Sequence, residues 1–276
     1  MSESCYTSSM SESWYTPKIE RCPDAVAAIR ALQEGIPRTL GETLVGLYLT
    51  GSLSYGGFEC ASSDIDFLAL CRQRPRVDEI AGLAAMHEEI AGRIPRWAKR
   101  IEGSYIWERL LVSLEPPLEP RPYINGSGEM WTPEPMYGQE WTMNLFVLHE
   151  RGLALYGPPA HEVIPRVSMR QMRRASLRSL HEEWEPLLAN DKPLDDPHYQ
   201  AYLTLTLCRI LQTQRVDGVA SKQDAAQWVK QTYGDAVRRI VERAEQWKVG
   251  QALEMKGEVL ELLRFTLAET GSLSAD

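Results

Sequence analysis

The chain has 276 residues, 43% of them hydrophobic and 25% charged, with a net charge of -8 and a pI of about 5.3. That length and balance describe one large or two modest globular domains. The acidic surplus argues against a nucleic-acid backbone as partner, since such proteins carry a basic face; it is compatible with a cationic small molecule and equally with an ordinary acidic surface.

Residues 1–18 carry a short direct repeat, MSESCYTSS then MSESWYTPK. This Ser-rich stretch is expected to be a flexible tail without chemistry. From Pro23 to about Ile36, Ala25, Ile29, Leu32 and Ile36 recur at helical spacing, and Pro37 is expected to end the helix. Leu44 to Leu49 is an apolar, strand-like run that ends at Gly51-Ser52. A small-residue loop with Gly56-Gly57 follows, and Ser63-Asp64-Ile65-Asp66 opens a second apolar run to Leu70. Val77 to Ile94 predicts a helix with Ile80, Leu83, His87 and Ile90 on one stripe. His87 on that stripe reads as a structural histidine rather than a ligand. Arg100 to Leu111 begins as a third strand, with Glu102 and Ser104 on one parity and Ile101 and Tyr105 on the other.

Prolines crowd Glu115 to Glu140, and Asn125, Gly126 and Gly128 mark a turn, so this is a long loop. Trp131 within it either stacks on a ligand ring or anchors the loop to the core. From Trp141 the pattern is helical, interrupted by a short extended piece, Leu153 to Tyr156, that Gly157-Pro158 closes. Met169 to about Glu185 reads as a helix stopped by Pro186, and Asn190 to His198 as an acidic turn with Asp191, Asp195 and Asp196. Tyr199 to Val216 is a buried helix carrying Arg209. Ser221 is placed to cap the next helix, with Asp224 at its third position. Helices at about Ala236–Trp247 and Gly250–Thr270 follow.

The expected architecture is a tail at 1–18, an α/β (α+β) domain with a mixed sheet at 19–137, and an all-helical bundle at 138–276. Cys5, Cys22, Cys60, Cys71 and Cys208 are scattered, with no CxxC pair. They predict reduced thiols in a cytoplasmic protein, neither a disulfide frame nor a zinc site. No apolar run approaches a membrane span, and the polar N-terminus shows no signal peptide.

The chemistry concentrates at Leu47–Leu70. Residues two apart on a strand share a face, so Asp64 and Asp66 aim together while Ile65 and Phe67 turn away. Like charges held that close need neutralising, and divalent metal is the common solution. A third acid, Glu102, can take a proton from an attacking hydroxyl or complete a metal shell.

Gly51-Ser52, eleven residues, then Asp64-x-Asp66, framed by two apolar runs, resembles the nucleotidyltransferase (polymerase-β-like) superfamily. The wider sequence looks like the streptomycin and spectinomycin adenylyltransferases. Its carriers are RIEGSYI, ALYGPPAHEVIPRV and TLTLCRILQTQRVDGVASKQDAAQW, which includes Leu205, Thr206, Leu207, Arg209, Gly218, Ser221, Lys222, Ala225 and Trp228. The resemblance implies an ATP-dependent enzyme with two Mg²⁺ ions held by Asp64, Asp66 and Glu102. Gly51, Ser52, Ser63, Arg209 and Lys222 would contact the triphosphate, and Glu102 would be the base. Trp131, Trp184 and Asp195 or Asp196 would be candidates for the drug. Gln223 departs from the family, which has an acidic residue there, and the Pro-rich loop aligns ambiguously. The expected partner is a small cationic antibiotic, with no nucleic acid or membrane, and the expected state is a monomer. Two alternatives stand beside this: the same transfer to another small-molecule or protein acceptor, and a nucleotide-binding regulatory module without catalysis.

Overall fold

The computed structural model describes residues 14, 16–117, 119–125, 137–218, 220–248 and 250–271. Most of the terminal repeat and Trp131 lie outside them, but the expected tail at 1–18 ends earlier: Trp14 is buried, Thr16 caps a helix that begins at Pro17, and Lys18 pairs with Glu59 at 3.2 Å. The chain falls into two compact units, each drawn from separate stretches of sequence. One takes its residues from Met1–Arg109, Arg121–Pro133 and Arg151–Val163; the other from Leu110–Pro120, Glu134–Glu150 and Ile164–Asp276.

The first unit opens with a one-turn helix α1 (Pro17–Glu20) and the long α2 (Pro23–Leu40). Ala25, Ala28, Ile29, Leu32 and Ile36 of α2 are buried, as the 3.6-residue spacing predicts. Pro37 does not stop this helix. It stands in the last turn, where the loss of one N–H is tolerable, and Gly41 ends the helix instead, its N–H bonding the Pro37 carbonyl. Strand β1 (Leu44–Leu49) runs into the one-turn α3 (Gly51–Ser54), and β2 (Ile65–Cys71) follows. Helix α4 (Val77–Arg93) crosses over to β3 (Ile101–Trp107), which pairs with β2 in parallel. A short β4 (Tyr123–Ile124) lies on the outer edge of β3.

Helix α5 (Glu140–Arg151) belongs to the second unit, after which β5 (Leu153–Tyr156) returns to pair antiparallel with β1. The one-turn α6 (Ala160–Val163) closes this excursion. The sheet is therefore mixed, in the order β4-β3-β2-β1-β5. Its apolar face packs under α4: Phe67 stacks on His87 at 5.9 Å and meets Tyr105 edge-on at 5.5 Å. His87 is buried, shares a 2.7 Å hydrogen bond with the Tyr105 hydroxyl, and burial pushes its pKa down to about 3. It is a structural histidine.

The helical unit continues with α7 (Met169–Ser179), α8 (Pro197–Arg215), α9 (Lys222–Thr232), α10 (Asp235–Gln246) and α11 (Lys256–Gly271). Helix α8 is its axis, with Leu203, Leu207, Cys208, Ile210 and Leu211 buried. Ser221 caps α9 by accepting from Asp224 N at 3.0 Å. Helix α11 starts six residues later than its apolar pattern suggests. The Met255 N–H is held instead by the Gln200 side chain at 2.9 Å.

The cysteines differ from expectation. Cys22 and Cys60, 38 residues apart, form a disulfide, while Cys71 and Cys208 are free and buried. No local spacing announces a pair that only tertiary structure brings together. Among the described residues, no helix is long and apolar enough to cross a membrane.

Candidate active site

The turn after β1 is built against the start of β2. The Thr50 N–H bonds the Asp66 carbonyl at 3.0 Å, fixing the two chains side by side. Gly51 adopts φ +59, and a methyl group there would stand 2.0 Å from Asp66 Oδ2. Only glycine lets this backbone lie directly on the carboxylate. Beside it, the Ser52 hydroxyl oxygen is buried and has no hydrogen-bond partner among the described residues. A buried, unmet hydroxyl is costly unless something completes it.

Across the sheet, Asp66 and Glu102 are register partners in the parallel β2–β3 pair. Registered residues leave the same face, so these two carboxylates share the face opposite Phe67. Glu102 is exposed and Asp66 is half-buried. Asp64 lies just before β2, and its Oδ1 is 3.5 Å from Arg100 Nε. Arg121, buried, reaches the same face through Ser104 Oγ at 3.3 Å.

Sequence reasoning passed over Arg100 and Arg121. Their signal was a cation beside a strand that carries an acid, which spacing alone does not single out. The three carboxylates expected to share metal are not gathered into one group. Among the described residues, no set of three or more His, Cys, Asp and Glu side chains is placed to hold an ion. Ser63, expected at the triphosphate, uses its hydroxyl to accept from Glu59 N at 2.9 Å and so shapes the intervening loop.

In the helical unit, Lys222 occupies the first turn of α9 and its Nζ lies 4.5 Å from the Tyr202 ring centre. Arg209, half-buried, lies two turns along α8 from Tyr202. Trp184 is buried, with its indole N–H on Ser179 Oγ at 3.1 Å and its ring 6.2 Å and 6.1 Å from Tyr199 and Tyr202. Ser179 in turn donates to Glu183 at 2.8 Å, and burial raises that carboxyl's pKa. Asp195 pairs with Lys256 at 2.8 Å, and Asp196 caps α8 by accepting from His198 N at 2.9 Å. Each substrate candidate within the described residues thus has a structural task of its own.

The crystal structure of spectinomycin adenyltransferase AAD(9) from Enterococcus faecialis with ATP and spectinomycin overlays this fold with a TM-score of 0.64. It covers 89% of this chain and 99% of that one, at 19% identity. Spectinomycin 9-adenylyltransferases of Staphylococcus aureus, including strains Mu50 and N315, are 26% identical over 196 residues, 68% of this chain and 71% of theirs. In sequence over 68% of its length, and in fold, the chain resembles nucleotidyltransferases. Residues 162–268 match the family model "Aminoglycoside adenylyltransferase, C-terminal domain". The resemblance to the aminoglycoside adenylyltransferases therefore holds, and most of the helical unit is the part that carries it by family model.

Proposed function

We propose that this enzyme transfers AMP from ATP to a hydroxyl of an aminocyclitol or aminoglycoside, releasing pyrophosphate. One observation carries the nucleotide half of this reading. Ser52 Oγ is buried without a partner in a turn whose Gly51 lies against Asp66. A phosphate oxygen would complete that hydroxyl. Magnesium fits the donors present, because it binds one or two protein carboxylates and takes its remaining ligands from phosphates and water. Asp64 and Asp66 would hold it, and when bound it would supply charge neutralisation at the phosphates.

Glu102, exposed on the face it shares with Asp66, is assigned the acceptor's proton. Arg209 and Lys222 are assigned to the triphosphate. A lysine in a first helical turn opposes the helix dipole, and an anion nearby would offset that. The relatives' names favour spectinomycin as acceptor. Streptomycin remains a second acceptor through Trp184 with Asp195 or Asp196.

The test is pyrophosphate release from ATP and Mg²⁺, with spectinomycin and streptomycin supplied separately. Release with either drug supports the reading and names the acceptor. Silence with both, while ATP still binds, favours transfer to a different acceptor.

A further inference from the structure

Arg100 does more than pair with an acid. Its Nη1 donates to the Cys60 carbonyl at 3.1 Å, its Nη2 to the Ser63 carbonyl, and its Nε lies 3.5 Å from Asp64 Oδ1. Its guanidinium carbon sits 4.2 Å from the Trp97 ring centre, and its side chain is only 19% exposed. Its own carbonyl accepts from Ile65 N at 2.7 Å. Arg96 adds a second donor to the Cys60 carbonyl at 3.1 Å, and the Cys22–Cys60 disulfide ties the same point to α2.

We propose that Arg100 is a positioning residue for Asp64: its planar fork clamps the loop between the Gly51-Ser52 turn and the acid pair and so holds the Asp64 backbone where its carboxylate can turn to the metal. This rests on the assignment of Asp64 to Mg²⁺. The guanidinium balances Asp64 before a metal arrives. It keeps its two carbonyl contacts afterwards, so the loop holds its shape while the carboxylate turns to the ion. Lysine carries the charge but not the fork, so it cannot bridge both carbonyls and the acid at once.

The experiment is calorimetric titration of the full chain with MgATP, and with ATP in excess chelator, for wild type, Arg100→Lys and Arg100→Met. Supports that orient a metal ligand typically contribute 10- to 100-fold, so both variants are expected to bind MgATP about tenfold more weakly. Metal-free ATP is expected to bind as in wild type. The lysine variant keeps the charge and reads out the fork even where the methionine variant does not fold. MgATP affinity equal to wild type in Arg100→Lys overturns the proposal. So does equal weakening with and without metal, which would place the effect on the loop or phosphates alone. A wild type whose ATP binding ignores Mg²⁺ would overturn the Asp64 assignment and this inference with it.

Discussion

The two faces of the β2–β3 pair make opposite use of adjacent residues. On one, Phe67, Tyr105 and His87 form a dry, packed cluster in which His87 Nε2 meets the Tyr105 hydroxyl and its Nδ1 has no partner among the described residues. On the other, Asp66 and Glu102 stand in register with more access to solvent, beside a turn whose Ser52 hydroxyl is unmet. Strand alternation places packing and chemistry one residue apart. Changes on the first face should therefore alter stability, and changes on the second should alter turnover.

The largest effect expected is on the second face. Glu102→Ala should lower kcat by about 10²- to 10⁴-fold, the range of a general base, with ATP binding retained in calorimetry. Next comes a pair of glycines. Gly51→Ala and Gly41→Ala both force a side chain into a positive φ, a strain of roughly 1–2 kcal/mol. Only the Gly51 methyl meets Asp66, whereas nothing lies within 4 Å at Gly41. Both variants should lose stability in denaturant, but only Gly51→Ala should lose activity. Ser52→Ala removes the buried, unmet hydroxyl, so it should leave the nucleotide-free protein at least as stable and raise KM for ATP by about tenfold or more, as a hydrogen bond to a charged group predicts.

The first face predicts a pH effect. Burial holds His87 neutral in the fold, down to about 3. Between that value and the ordinary 6.5, the unfolded chain binds a proton that the folded chain does not. Stability is thus present above pH 6.5 and falls as pH drops below it, by at most about 1.4 kcal/mol per pH unit. His87→Gln should flatten that part of the stability curve without moving activity at neutral pH. The smallest effects belong to the acidic turn. Asp196→Ala removes a helix cap and should cost about 1 kcal/mol. Asp195→Asn should leave the unfolding temperature in place. A change in drug KM with Asp195→Asn would nonetheless assign that carboxylate to the substrate.

Much of this was legible in the sequence because it is local. The run from Leu44 to Leu49, the Gly51-Ser52 turn and the alternation around Asp66 need only neighbours a few residues away. Ser221 with Asp224 is likewise a three-residue signal. What escaped depends on partners distant in the chain. The pairing of β5 with β1 joins Leu153 to Leu49 across the whole of α4 and β3. Cys22 meets Cys60 only after α2 packs, and Arg100 gains its importance from the carbonyls of Cys60 and Ser63. Pro37 misled because a breaker in the last helical turn has little left to break.

The most direct test of the central claim is mass spectrometry of the products formed from spectinomycin, ATP and Mg²⁺ by the wild type, Asp66→Asn and His87→Gln. The account predicts an AMP adduct of the drug from wild type and from His87→Gln at neutral pH, and none from a folded Asp66→Asn. An adduct formed at the wild-type rate by Asp66→Asn would contradict it.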